Sequence, residues 1–173
     1  GMVYEMIGDI ANANRDGSSY NRNSETKYPF LRNFDIYEGH SWAGGYADND
    51  SGNNQESASE SLFSWVSMYL WGVLTENDTY RDAGVFGFTN EMEAVEQYWF
   101  DYDRKTDTDG NVTNSNWVSD YPYQVVAQVY GAINFYGTFF GGQPLYCYGI
   151  HWLPISEYLT YYGTNQTRCA QIY

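Results

Sequence analysis

Residues 52–74 read GNNQESASESLFSWVSMYLWGVL, a polar stretch that runs directly into an apolar one. The polar half carries two carboxylates, Glu56 and Glu60, and no lysine or arginine. In the apolar half, hydrophobic residues recur at helical spacing and cover nearly the whole circumference of the helix that they predict. Such a helix is normally enclosed by neighbours on both sides, as an inner helix of a closed helical ring would be. One face carries Leu62, Trp65, Val66, Tyr69, Leu70 and Val73, and the side of the glutamates carries Phe63, Trp71 and Leu74.

Flanking segments complete an all-α prediction. Apolar residues at helical spacing predict a short helix over residues 2–13 and another through Val85 and Trp99, with Asp78 or Thr79 as its N-cap. Most of residues 14–61 is predicted to be loop, because it is rich in Asn, Ser, Gly and Asp. Residues 121–140 fit helix or strand, and we favour helix; a further short helical unit follows, interrupted at Pro154. Helix pairs without alternating strands favour an all-α domain.

The two glutamates are four residues apart, so on a helix their side chains would point into one region of space. Like charges at this spacing cost a few tenths of a kcal/mol in an exposed helix. A position at the helix N-terminus offsets this cost by roughly 0.3 to 1 kcal/mol, since the helix dipole favours anions there. Spacing alone favours a solvated first turn that has no function.

Aromatic residues around the glutamates favour a functional interpretation. Tyr37, His40, Trp42 and Tyr46 precede the pair, and the whole chain is 20% aromatic. Rings beside carboxylates and amides are what a sugar-binding cleft requires, because rings stack on the apolar faces of pyranoses. Glycosidic bond cleavage in such a cleft needs one carboxylic acid and one carboxylate that acts as base or nucleophile.

Composition argues against several other classes. The formal charge of −14 repels a phosphate backbone, so we expect no nucleic-acid partner. No apolar run approaches the roughly 18 to 20 residues of a membrane span, so we expect no membrane partner. The sequence holds two histidines and no zinc, EF-hand, nucleophile-elbow or phosphate-loop motif, and we expect no metal and no cofactor. Cys147 and Cys169 allow one disulfide at most, and for Cys147 we favour a buried thiol.

Two motifs give a more specific result. Residues 28–61, YPFLRNFDIYEGHSWAGGYADNDSGNNQESASES, contain a GHSW segment followed by NQESxSE. Residues 133–159, INFYGTFFGGQPLYCYGIHWLPISEYL, combine an aromatic stretch, a Q-P turn and a later L-P. In this order the two motifs resemble glycoside hydrolase family 81, the endo-1,3-β-glucanases that cut laminarin-type glucans. The similarity covers roughly residues 15–159.

The resemblance implies a fold and a set of roles. It implies an inverting hydrolase with an (α/α)6 toroid as its catalytic domain, acting on β-1,3-glucan. Glu56 is then the general base that activates water, with Glu60 as its partner or the alternative base. The residues expected to line the sugar subsites or to fix the glutamates are Asp35, Tyr37, His40, Trp42 and Gln55.

Departures from the family pattern set further expectations. The family's general acid lies in a D-H-H-F-H-Y-G-Y type motif that this sequence does not contain. An inverting site needs two carboxyl groups roughly 6.5 to 9.5 Å apart. We therefore expect residues 1–173 to be one domain, a C-terminal portion of the toroid without the β-sandwich and the acid segment, and inefficient in hydrolysis alone. Part of a ring would leave apolar helix faces uncovered, so we expect self-association.

Two other functions fit the same residues. A non-catalytic β-glucan-binding module would use the aromatic groove to hold sugar without cutting it. A polysaccharide lyase is less consistent with the charge of −14, because lyases bind acidic polymers. The parent protein is expected to be extracellular, since the family's polymeric substrate cannot enter a cell intact.

Overall fold

Two long antiparallel helices form the centre of the fold: α2 (Ala58–Leu74) and α3 (Asp78–Tyr98). The structure, a computed structural model, describes residues 1–12, 28–44, 47, 49–118 and 120–173. Both helices start at a side-chain cap. The Ser57 hydroxyl accepts the N–H of Glu60, and Oδ1 of Asn77 accepts the N–H of Tyr80. The predicted caps of α3, Asp78 and Thr79, were wrong because Asn77 provides the accepting oxygen one residue earlier.

Glycines let α2 and α3 approach closely. A Cβ atom at Gly72 would lie 2.3 Å from the backbone nitrogen of Arg81, and one at Gly84 would lie 2.5 Å from that of Tyr69. Real Cβ atoms do not come so near to backbone. Glycine is therefore required at these two positions by the distance between the helices rather than by backbone conformation.

Shorter helices surround this pair. The first, α1 (Met2–Ala11), confirms the helix predicted for the N-terminal segment. Near the other end of the chain lie α4 (Pro144–Gly149), a 3₁₀ turn (Ile150–Trp152), α5 (Tyr161–Thr164) and α6 (Gln166–Ile172). The described part of the predicted loop, from residue 28 onward, is mainly irregular, and residues 13–27 lie outside the described part of the chain.

Within the described ranges, three small antiparallel sheets correct the all-α prediction. β1 (Phe34–Asp35) pairs with β2 (His40–Ser41), and β4 (Lys105–Thr106) pairs with β5 (Val112–Asn114). The third sheet places β6 (Gln128–Tyr130) between β3 (Asn54–Gln55) and β7 (Asn134–Phe135). The fold is thus mainly helical with minor sheets.

The helix favoured for residues 121–140 was wrong, because this segment contains β6 and β7. Residues 125–129 are all buried, and β6 is hydrogen-bonded on both sides. Valine and tyrosine fit a strand that is packed in this way. A run that is buried on every side chain shows no period, so its sequence could not separate helix from strand.

The hydrophobic core has two parts. The larger part joins the N-terminal end of α2 to the C-terminal end of α3, with Leu62, Trp99 and Tyr161 among its buried side chains. The smaller part fastens α1 and β1 to the middle of α2 through Ala11, Phe34, Trp65, Met68 and Leu31. The core therefore packs against the N-terminal end and the middle of α2.

The C-terminal half of α2 is not enclosed by the described residues, contrary to the prediction for an inner helix. Leu62, Trp65 and Val66 are buried, whereas Leu74 is 75% exposed. Other large apolar residues of α2 and α3 are also exposed: Tyr69, Leu70, Val73, Val85 and Phe86. Among the helices that the structure describes, none combines the length and the apolar character needed to cross a bilayer.

Candidate active site

Glu56 occupies the junction between β3 and α2. Because Ser57 caps α2, the helix begins at Ala58 and Glu56 lies just outside it. The expectation that Glu56 and Glu60 share one helix face was therefore wrong in detail. Glu56 is half-buried, and its Oε2 accepts a 2.7 Å hydrogen bond from the backbone N–H of Phe139. Glu60 is exposed in the first turn of α2.

The two carboxylates still influence each other. Burial raises the pKa of Glu56, the Phe139 N–H opposes this shift, and the negative charge of Glu60 adds to it. The net result is a pKa above the ordinary value of a glutamate. A carboxylate with a raised pKa is a stronger base at neutral pH, which is a property expected of a general base.

Serine hydroxyls fasten the start of α2 to the 3₁₀ turn. Ser57 Oγ lies 2.9 Å from Ser59 Oγ and 3.3 Å from the carbonyl oxygen of Ile150. The Ser59 hydroxyl oxygen also lies within hydrogen-bond distance of the carbonyl oxygens of Ile150 and Leu153, to either of which it can donate its one proton. The bonds to Ile150 and Leu153 join residues more than 90 positions apart in sequence. They fix the segment that carries Glu56 and Glu60.

Gln55 also stabilises the junction between β3 and α2. Its side chain is only 6% exposed, and its Nε2 donates to the carbonyl oxygen of Ser57 at 3.2 Å. Of the two roles expected for Gln55, contact with sugar or fixing the glutamates, this position is consistent with the second.

Asp35 and Trp42 form a hydrogen-bonded pair across the β1–β2 turn. One oxygen of Asp35 accepts the backbone N–H of Tyr37 at 2.9 Å, and the other accepts the indole N–H of Trp42 at 3.2 Å. Burial alone raises the pKa of Asp35, but these hydrogen bonds outweigh it, so the pKa lies below its ordinary value. Tyr37 itself is 91% exposed.

This turn lies beside the strand that leads to Glu56. The residue after Trp42, Ala43, donates its N–H to the carbonyl oxygen of Asn54 at 2.8 Å. The Asn53 side chain donates to the carbonyl oxygen of Gly44 at 3.0 Å. The structure thus brings the segment of Asp35 and Trp42 next to β3. Tyr46, named with them in the sequence, lies outside the described residues.

His40 is buried, with 1% of its surface exposed. Its Nδ1 lies 2.9 Å from the carbonyl oxygen of Ser41, and its ring packs edge-on against Trp42 and Trp99 at centroid distances of 4.4 and 5.1 Å. Burial lowers its pKa and outweighs the nearby negative charges. Like Gln55, His40 is placed to fix its neighbours rather than to reach a sugar.

Glu91 is a supporting residue that the sequence reading missed. It is fully buried on α3, and its carboxylate accepts the N–H and the hydroxyl of Ser41 at 3.0 and 2.8 Å and the indole N–H of Trp65 at 2.5 Å. It therefore joins the β2 segment, α2 and α3. One signal could have found it: Glu91 follows Gly84 and Gly87 at helical spacing, on the buried face of α3.

Two residues of the segment after β7 interact with Glu56, Phe139 through its backbone N–H and Cys147 through the charge of the carboxylate. Phe139 and Phe140 are 74% and 72% exposed at the tip of a turn. Tyr136 stacks on Tyr123 with ring centroids 3.8 Å apart. Cys147 is a buried free thiol, as favoured from the sequence; burial raises its pKa, and the charge of Glu56 adds to this. Phe139 was missed because its contact uses a backbone group that residue type does not reveal.

In the part of the chain that the structure describes, no three side chains of His, Cys, Asp or Glu are grouped so that they could hold a metal ion. The carboxylates of the described site can accept hydrogen bonds from hydroxyl groups and can transfer protons.

Comparisons with known proteins agree on one family. Residues 1–168 match the family model described as "Glycosyl hydrolase family 81 C-terminal domain". A glucan endo-1,3-beta-D-glucosidase of Acetivibrio thermocellus is 38% identical over 172 residues, which is 99% of this chain and 20% of the relative. An enzyme of the same name from Thermobifida fusca is 33% identical, with coverages of 99% and 20%.

A solved structure gives the same result. It is a glycoside hydrolase family 81 protein from Clostridium thermocellum, determined as a mutant with one glutamate replaced by alanine. The TM-score is 0.81 at 37% identity, and the match covers 99% of this chain and 21% of that protein. This chain spans about a fifth of the length of these relatives.

Proposed function

This chain belongs to glycosyl hydrolase family 81, and we propose that it supplies the general-base side of an active site that hydrolyses β-1,3-glucan with inversion. One observation carries the proposal: Glu56 is a half-buried carboxylate, anchored by a backbone N–H, at the mouth of a capped helix. The relatives named glucan endo-1,3-beta-D-glucosidase support the choice of substrate.

In the proposed reaction Glu56 removes a proton from the attacking water. An inverting hydrolase pairs this base with a carboxylic acid that protonates the leaving oxygen, at a distance of roughly 6.5 to 9.5 Å that leaves room for the water. The motif expected to carry that acid is absent from this sequence. We therefore assign the base to this chain and the acid to a segment outside it. The toroid, of which α2 and α3 would be one helix pair, is part of the same proposal.

Glu56 is a better candidate for the base than Glu60. It is half-buried and tied to Phe139, whereas Glu60 is exposed. Glu60 contributes by its charge, which raises the pKa of Glu56 and with it the basicity. We propose Glu60 as the residue that tunes the base.

Asp35, Tyr37 and Trp42 are proposed to contact the glucan. Tyr37 is exposed, and Trp42 is held by Asp35 beside the strand that leads to Glu56. His40 and Gln55 are buried and are proposed to fix these residues and the start of α2. Because a polymer cannot enter a cell intact, the proposed site of action is extracellular.

Replacement of Glu56 tests the proposal in the full-length protein. For Glu56→Gln we expect laminarin hydrolysis to fall about 10²- to 10⁴-fold, since this is the contribution typical of a general base. Binding of laminari-oligosaccharides, followed by calorimetry, should stay within a few-fold of wild type. Glu60→Gln is the matched control and should keep most of the activity at neutral pH.

The competing function, a glucan-binding module without catalysis, predicts a different result. Binding would survive in both variants, and neither change would affect hydrolysis. Undiminished hydrolysis in Glu56→Gln would reject Glu56 as the base.

A further inference from the structure

The contact between Glu56 and Phe139 joins residues 83 positions apart through a backbone donor. We propose that Phe139 is a positioning residue whose N–H fixes the orientation of the Glu56 carboxylate. The inference rests on the proposed function of Glu56, and it assigns to Phe139 a role that depends on its backbone N–H and that its residue type does not reveal.

The turn that carries Phe139 is closed by its own hydrogen bonds. Thr138 and Gly141 exchange two backbone hydrogen bonds of 3.0 Å each. The Thr138 hydroxyl donates to the carbonyl oxygen of Gly141 and accepts the N–H of Phe140, both at 3.1 Å. Gly141 has a φ of 133°, which favours glycine. These bonds leave the Phe139 N–H at the outer side of a fixed turn, where it meets Glu56.

A general base needs one oxygen in a defined place. With Oε2 held by the amide, Oε1 is the atom that would take the proton from water. The same N–H favours the ionised form of Glu56, in opposition to burial and to the charge of Glu60. The turn thus favours the ionised form of the Glu56 carboxylate and holds it in one orientation, which is how a protein gains rate from preorganisation.

The turn also allows the N–H and the ring of Phe139 to be separated by mutation. Phe139→Ala removes the exposed ring and keeps the N–H. Phe139→Pro removes both the ring and the N–H. Phe139 is the first central residue of the turn and its φ is not positive, and proline is favoured at such a position. The difference between the two variants reports the loss of the N–H together with the proline ring that replaces it.

The first test is an NMR titration of this chain with ¹³C-labelled glutamate. We expect the amide proton of Phe139 to shift with pH at the same midpoint as the Glu56 carboxyl carbon, and to lose this response in Glu56→Gln. Phe139→Pro should titrate Glu56 at a higher pH than Phe139→Ala does. A Phe139 amide signal that does not change across the titration of the Glu56 carboxyl group would overturn the proposal. This measurement uses the wild-type chain and does not require the Phe139→Pro variant to fold.

The second test follows laminarin hydrolysis in the full-length protein. Phe139→Ala should alter KM alone, since only a ring is lost. Phe139→Pro should lower kcat about 10- to 100-fold below Phe139→Ala, since small misplacements of catalytic groups can cost about 100-fold. It should also move the acidic limb of the pH profile to higher pH. Equal kcat values in Phe139→Ala and Phe139→Pro, with the acidic limb of the pH profile at the same pH in both, would overturn the proposal. A wild type that shows the NMR coupling but hydrolyses nothing would reject the proposed function and leave the Glu56–Phe139 contact standing.

Discussion

At the residue scale, the two glutamates of the candidate site differ in how the chain holds them. Glu56 is half-buried, outside the helix and bound to an amide, whereas Glu60 lies exposed in the first turn of α2. The sequence could predict both residues from their motif. It could not predict the difference, because the difference depends on Ser57 as the cap and on a backbone group 83 positions away.

The charge of Glu60 should control the pH dependence of catalysis. It raises the pKa of Glu56, so Glu60→Gln should lower that pKa. A base works in its ionised form, and the acidic limb of kcat/KM should therefore move to lower pH. Glu76→Gln, the same change at the far end of α2, is the control and should leave the limb in place, because the charges are separated by more than a Debye length of about 10 Å. If the acidic limb stays at the same pH in Glu60→Gln, the proposed role of Glu60 in raising the pKa of Glu56 is contradicted.

Glu91 should be needed for stability rather than for proton transfer. Glu91→Ala leaves three buried donors of Ser41 and Trp65 without their acceptor, and each such loss costs about 1 to 3 kcal/mol. We expect the free energy of unfolding to fall by at least about 2 kcal/mol, measured by urea unfolding. Glu93→Ala, an exposed site on the same helix, should change it by less than about 0.5 kcal/mol. Equal effects of the two changes would contradict the assigned role of Glu91.

At the element scale, helices with clear periodicity were predicted well and strands were not. The helices α1, α2 and α3 follow the apolar spacing from which they were predicted. By contrast, residues 125–129, which run into β6, are all buried, and such a run carries no period. The strand structure of β6 depends on pairing with β3, which is distant in sequence. The roles of the loop residues named for the site stay predictions. Their burial, as for His40, is a tertiary property that residue type does not reveal.

Close packing of α2 on α3 should make Gly84 hard to replace. Alanine has a higher helix propensity than glycine by about 1 kcal/mol, which alone would stabilise α3. A Cβ at Gly84 would meet the Tyr69 backbone at 2.5 Å, and overpacking of this kind costs about 1 to 3 kcal/mol. We expect Gly84→Ala to lower the thermal midpoint, followed by circular dichroism. Gly149→Ala, where nothing lies within 4 Å of the added atom, should leave it unchanged or raise it. Destabilisation by both substitutions would argue against a specific clash at Gly84.

At the scale of the whole molecule, the described residues leave an apolar surface on the helix pair. Its members on α2 are Tyr69, Leu70, Val73 and Leu74, and α3 adds Val85 and Phe86. In the proposed toroid this surface would be covered by further helices. Among the described residues, the C-terminal half of α2 does not meet the prediction of an enclosed inner helix, and its covering helices belong to the proposed toroid.

Self-association of the isolated chain stays a prediction, and we expect the chains to contact one another through this apolar surface. We expect light scattering at micromolar concentration to show dimers or larger species, since contiguous exposed apolar residues favour association. Leu74→Glu should shift the population toward monomer without loss of helix content, because Leu74 is 75% exposed. A monomeric wild-type chain would contradict the prediction.

The most direct measurement of the central claim uses the isolated chain, with laminarin hydrolysis and laminari-oligosaccharide binding followed in parallel. The account assigns the base to Glu56 and the acid to a segment outside these residues. It predicts binding without hydrolysis, and no further change in Glu56→Gln. Hydrolysis by the isolated chain at the rate of the full-length protein, abolished in Glu56→Gln, would contradict it and would mean that a carboxyl group within these residues serves as the acid.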